Sequence, residues 1–184
     1  MENKSNLKES LIPSIVLVLI CLVVTFALAF TNKATSPQIA KIAKANADKA
    51  RTQVLPKADS FDPYKGKLNS GIVDCYISKN KAGMAITSVS KSFGGDITVM
   101  TGIDAKGKIT GVTVTNHADT PGLGTKAMTV KYLNCYKGDS ELKAASVKDE
   151  KNVDYIVGAS VSSNGVYHAV QGALKQFKDC GGVK

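Results

Sequence analysis

The sequence predicts an α+β protein: one N-terminal transmembrane helix, then an antiparallel sheet packed against helices. Three observations carry this. Residues 11–30 form a twenty-residue run without a charge. Residues 97–103 alternate as Ile97, Val99, Thr101 and Ile103 against Thr98, Met100 and Gly102, and residues 109–115 continue the pattern after a turn, as strands do. Val166, Ala169, Val170, Ala173, Leu174 and Phe177 recur at the spacing of one helical face.

Residues 1–10 are a short tail in which Lys4 and Lys8 face Glu2 and Glu9. At 1.5 Å per residue, residues 11–30 reach across roughly 30 Å of hydrocarbon. A cleaved signal peptide is the rival, with Lys4 and Lys8 as its basic end and Ala27-Leu28-Ala29 as its cleavage site. The apolar stretch exceeds the usual signal length, which favours a retained span. Ile20 before Cys21 does not suit a lipoprotein signal. Lys33, Lys41, Lys44 and Lys49 follow the span. Counted by the positive-inside rule they put the domain in the cytoplasm, but long domains translocate largely regardless of charge, so the side stays open.

Ser36-Pro37 predicts a helix start, a cap residue followed by proline at the first helical position. Ile39, Ile42, Ala43, Ala47 and Ala50 then share one face, giving an amphipathic juxtamembrane helix within residues 31–55. The domain proper spans 56–184. Residues 56–70 read as a loop rich in Pro, Gly and Asn. Strands follow at 83–93, 97–103 and 109–115, a meander with a tight turn at 104–108. A polar, Gly-rich loop covers 116–125, and a short helix lies near 127–136. The last helix is stopped by Gly181-Gly182. About 150 soluble residues bury roughly 68–70% of their unfolded surface, enough to fold without a metal.

Composition narrows the function classes. Net charge is +9, yet of the 24 basic residues only Arg51 is arginine. Lysine is a hydrated point charge without the planar fork that reads bases and phosphates. No aromatic-interleaved basic stretch accompanies it, so nucleic acid is not the expected partner. Cys21 lies in the span, and Cys75, Cys135 and Cys180 have no metal-ligand spacing. They read as buried thiols, with one disulfide possible if the domain sits outside the cell. No metal site is expected.

Two segments carry candidate chemistry. Residues 154–164, Asp-Tyr-Ile-Val-Gly-Ala-Ser-Val-Ser-Ser-Asn, run into the last helix. Gly158 and Ala159 permit close backbone approach, and Ser160, Ser162 and Ser163 stand where helix N–H groups and the dipole favour an anion. The plainer reading is that Ser162 or Ser163 only caps the helix. The second segment is His117-Ala118-Asp119-Thr120-Pro121-Gly122-Leu123-Gly124. It can lay Leu123 and bare backbone against a flat ligand, or be a turn with an apolar plug. His117 and Asp119 as an acid–base pair lack a nucleophile; a local hydrogen bond is the simpler reading.

Taken together, and with Val54-Leu55-Pro56-Lys57-Ala58-Asp59-Ser60-Phe61 before them, these segments resemble a family in sequence and in order along nearly the whole chain. That family is the FMN-binding subunit of membrane electron-transport complexes: the G subunit of the Rnf complex and, more distantly, the C subunit of the sodium-pumping NADH:quinone oxidoreductase. Its pattern has one N-terminal span, an H-x-E-T-P-G-L-G loop and a late [ST]-G-A-[ST]-x-[ST] motif. Here Asp119 stands in place of Glu, Val157 in place of a hydroxyl residue, and Ser162 where Thr is usual.

The resemblance implies FMN esterified through its phosphate to Ser162, with Ser160 as runner-up, by a separate flavin transferase. It implies a pocket between Thr120, Pro121, Gly122, Leu123 and Gly124, flanked by Asp119 and His117, and the turn at Gly158, Ala159 and Ser163. It implies an electron-carrying subunit, not catalytic alone, partnered with other membrane subunits that move electrons between ferredoxin and NAD while pumping Na⁺ or H⁺. It places the domain outside the cytoplasm. Alternatives are the quinone-reducing complex, a stand-alone flavinylated shuttle, and a non-redox membrane scaffold.

Overall fold

The computed structural model describes the backbone of residues 3–183 and the side chains of 11–183. Residues 1 and 2 of the expected tail lie outside the described residues. Helix α1 runs unbroken over Asn3–Val54, and the chain divides into two compact units between Ala45 and Asn46.

In the first unit α1 is long and apolar enough to cross a membrane, and residues 11–45 are all solvent-exposed. The expected break at Ser36-Pro37 is corrected: Pro37 lies inside α1, as does Pro13. An interior proline removes one helical hydrogen bond. Side chains around it bond back onto the helix: Thr31 Oγ1 donates to the Ala27 carbonyl and Thr35 Oγ1 to that of Thr31, both at 2.9 Å.

The second unit holds a five-stranded antiparallel meander, β1 Phe61–Pro63, β2 Ile72–Ser78, β3 Gly83–Ser92, β4 Gly95–Asp104 and β5 Ile109–Asn116, in spatial order 1-2-3-4-5. The three expected strands form β3, β4 and β5. β1 and β2 are additions, made where the sequence reads as a loop or carries no strand assignment. The expected short helix near 127–136 is a broken run: a 3-10 turn Gly124–Met128, helix α2 Val130–Leu133, and a 3-10 turn Asn134–Tyr136. Helix α3 covers Ser160–Asp179.

Alternation along the strands sends side chains to two faces. Met84, Ile86, Ile97, Val99 and Ile103 pack under α3 with Val166, Val170 and Phe177. Ser88 Oγ, buried among them, donates to the Ala169 carbonyl at 2.7 Å, so the polar group is not left unpaired. On the other face Ala85 and Met100 meet Ala50 and Val54 of the last turns of α1. The cross-strand pair Gly102–Gly111 forms a flat seat for Val54, and Thr110 Oγ1 donates to the Val54 carbonyl. The lone arginine locks the same turn. Arg51 is 6% exposed, pairs with Asp48 at 2.5 Å and Asp74 at 3.8 Å, and stacks 3.6 Å over the Tyr76 ring. Of the expected amphipathic face, Ala47 and Ala50 pack on the domain, while Ile39, Ile42 and Ala43 stay exposed.

Candidate functional site

Three segments converge at one end of the sheet: the β3–β4 turn, the 117–124 loop and the first turn of α3. The turn and the loop approach closely because Gly94 has no side chain; a Cβ there would strike the Ala118 carbonyl. Asp119 ties them, its carboxylate accepting from the Ser92 hydroxyl and from the Gly94 N–H at 2.6 Å. The loop is shaped by Gly124 N–H donating to the Thr120 carbonyl at 3.1 Å and Gly122 N–H donating to Thr125 Oγ1 at 2.9 Å. Gly122 takes φ +78°, a conformation that favours glycine. Gly124 is buried where the loop meets α3. A Cβ there would lie 2.8 Å from both Asp119 Cβ and Ser162 Oγ.

The helix start is built for an anion. Gly158 turns the chain at φ +83°, and Ala159 stands at the cap position without a capping side chain. The first helical bond runs from Ser163 N–H to the Ala159 carbonyl, 2.9 Å. The N–H groups of Ser160, Val161 and Ser162 therefore lack intrahelical acceptors and carry the positive end of the dipole. The capping role considered for Ser162 or Ser163 is corrected, because α3 begins at Ser160 and both lie within its first turn. Ser162 is 2% exposed and Ser163 fully buried. The two part company: Ser162 lines the cleft, whereas Ser163 turns toward the Tyr132 phenol in the core. The Ser160 hydroxyl is held by the Tyr155 hydroxyl at 2.6 Å.

Between these walls lies a cleft of about 220 Å³. Thr120, Leu123 and Gly124 line one side and residues 158–162 the other. His117, Pro121 and Gly122 are exposed in the same loop but do not form its wall. Asp119 stands behind it, 4% exposed. Burial pushes its carboxyl up, but hydrogen bonds from Ser92, Ser162 and Gly94 and the charge of His117 outweigh this and hold it below its ordinary value. Its bonds to the β3–β4 turn take the place of the local His117 bond expected from sequence.

Phe93 also lines the cleft and was not among the sequence candidates. It is 73% exposed, at the tip of a Gly-rich turn, and an aromatic in that position is the signal that could have found it. Ser92 and Tyr155, which hold Asp119 and Ser160, are further additions. Free N–H groups beside apolar walls suit a ligand with a phosphate and a flat apolar body. The residues thus fit FMN chemically. Among the described residues no cluster of His, Cys, Asp and Glu could hold a metal ion.

Residues 92–175 match the family model of the FMN-binding domain. The chain is similar to the G subunit of the Na(+)-translocating ferredoxin:NAD(+) oxidoreductase complex of Acetobacterium woodii, 29% identical over 90% of each chain. It is also similar to the G subunit of an ion-translocating oxidoreductase complex of Methanosarcina acetivorans, 27% identical over 92% of this chain and 95% of that one. A third relative is the G subunit of the proton-translocating ferredoxin:NAD(+) oxidoreductase complex of Clostridium ljungdahlii, 29% identical over 69% of each.

Proposed function

We propose that this chain, whose residues 92–175 match the family model of the FMN-binding domain, is a membrane-anchored electron-transfer subunit of an ion-translocating ferredoxin:NAD oxidoreductase complex, with FMN esterified to Ser162. The observation that carries this is the meeting of Thr120, Leu123 and Gly124 with the first turn of α3 in one cleft, with Ser162 among its lining residues. When bound, the flavin supplies the redox chemistry, accepting and releasing electrons one or two at a time. The N–H groups of residues 160–162 would hold its phosphate at the helix start. Phe93, Leu123 and Val161, which line the cleft, would give the ring apolar contact and limit water around it. Ser160 is the weaker acceptor because its hydroxyl is already paired with Tyr155.

The subunit is not catalytic alone; electrons reach and leave it through other membrane subunits, and a flavin transferase matures it. The helix crosses the membrane once and the domain lies outside the cytoplasm, where a covalent link prevents loss of the cofactor. An impermeant protease applied to wall-stripped cells should remove the domain; protection, with the protease shown active, places it inside. The chemical test is replacement of Ser162. Ser162→Ala should abolish a fluorescent band that survives denaturing electrophoresis, and retention of that band assigns the acceptor elsewhere.

A further inference from the structure

The Asp119 carboxylate is buried behind Gly124 of the cleft wall and takes no part in holding the flavin ring or phosphate. A buried carboxylate is costly unless hydrogen-bonded, and Ser92 and Gly94 fix this one from the β3–β4 turn. Its third neighbour is Ser162. The missing side chain of Gly124 lets the two meet: a Cβ there would be 2.8 Å from Ser162 Oγ and 3.0 Å from Asp119 Oδ2. Ser163, one residue on, faces the core instead, and Ser160 is held by a phenol rather than a carboxylate. One hydroxyl of the three therefore has a carboxylate beside it.

We propose that Asp119 orients the Ser162 hydroxyl and takes its proton as that oxygen is phosphorylated by a flavin mononucleotide activated as a phosphoanhydride. This rests on Ser162 being the attachment residue. The Ser162 Oγ–P bond forms and the anhydride P–O bond breaks. The leaving phosphate departs with the bonding electron pair, and the hydroxyl proton passes to Asp119 Oδ2 and then to solvent. A serine hydroxyl is a weak nucleophile until a neighbouring base engages it.

The surroundings keep the carboxylate charged at neutral pH. Burial raises its pKa, and the bonds from Ser92, Ser162 and Gly94 with the His117 charge lower it further than burial raises it. His117 is the titratable neighbour on its own loop. On the hairpin, Lys91 is paired with Asp96 at 2.6 Å, and residues 160–163 carry no titratable side chain. Attachment reverses the balance: Ser162 loses its donor proton, and a phosphodiester charge arrives beside the carboxylate. Both effects raise the Asp119 pKa.

The test uses the full chain, its flavin transferase and the activated flavin, with adduct formation followed by intact mass across pH 5.5–8.5. Asp119→Asn should slow the initial rate by about 10²–10⁴-fold and make it climb with pH, with a cooperative thermal melt still present at a lower midpoint. A rate within threefold of the parent and an unchanged pH profile overturns the proposal. If Asp119→Asn does not fold, the carboxyl titration of Asp119 by NMR decides. Its midpoint should rise in Ser162→Ala and again on flavin attachment, and an unmoved midpoint in both overturns the proposal. Adduct persisting in Ser162→Ala defeats the attachment reading and this one with it. Adduct lost in Ser162→Ala but formed normally in Asp119→Asn defeats this one alone.

Discussion

Replacing Gly124 by alanine adds one methyl group at the most crowded point of the site. That carbon would stand 2.8 Å from Asp119 Cβ, 2.8 Å from Ser162 Oγ and 3.0 Å from Asp119 Oδ2, against an ordinary contact of about 3.5–4.0 Å. Asp119 cannot swing away, because the Gly94 N–H and the Ser92 hydroxyl hold its carboxylate. Ser162 sits on a helical turn packed against the sheet, so the loop or the helix start must shift. Overpacking of this kind costs about 1–3 kcal/mol. For a domain of this size that is a fall of roughly 3–12 °C in melting temperature. Gly122→Ala is the control. Nothing lies within 4 Å of a Cβ there, so it meets only the strain of φ +78°, about 1 kcal/mol. Thermal melts of the detergent-solubilised chain and flavin incorporation measured on the same samples separate the two. Gly124→Ala should lose both stability and flavin, and Gly122→Ala should lose a little stability and keep its flavin. A Gly124→Ala protein that melts and incorporates flavin like the parent would refute the contact between loop, Asp119 and Ser162.

Arg51→Ala should destabilise the domain by about 1–3 kcal/mol in denaturant titrations, because a buried guanidinium loses its stack on Tyr76 and its two carboxylates; Arg51→Lys should recover only part, since ammonium lacks the planar face. Asp119 should give the folded state an acid limb. Its folded pKa is depressed from 3.8, with burial opposed and outweighed by the Ser92, Ser162 and Gly94 bonds and His117. Its contribution is therefore complete above the unfolded value and lost as pH falls from about 4 through the folded pKa. Stability measured against pH should be flatter there in Asp119→Asn, and an identical acid limb would contradict it. Cys75 should resist alkylation until the chain unfolds. Burial first, then Cys180 and Asp74, pushes its thiol up to about 12, whereas Cys135 and Cys180 are half-exposed; labelling of Cys75 at their rate in the folded protein would be the contrary result.

α3 is the most legible part of the fold, because it repeats at 3.6 residues with one face buried. β4 is legible from Ile97, Val99 and Ile103, although Met100 between them is buried too, because both faces of the strand are covered. β2 escapes the same reading because Asp74 interrupts its apolar run and a bulge between Ile72 and Asp74 shifts its register. β1 is three residues long and ends in proline, an edge strand too short for a pattern. Ser36-Pro37 has the composition of a helix start, and local propensity cannot tell that from a proline carried through a longer helix. At the site, the two motifs were visible as motifs, and their meeting was not. It depends on β3 and β4 bringing Phe93 and Gly94 beside residues 117–124, a juxtaposition set by sheet register rather than by neighbouring letters. Asp119 could be named from its loop, but its partnership with Ser92 and Ser162, 27 and 43 positions away in the chain, could not.

The central claim, flavin carried on Ser162, is tested most directly by intact mass and peptide mapping of the chain purified from its native host. The expected result is a protein heavier than its sequence by one FMN less one water, with the added mass confined to Ser162 in the fragment spanning residues 154–164. A chain at its unmodified mass, or an adduct mapped to any other residue, would contradict it.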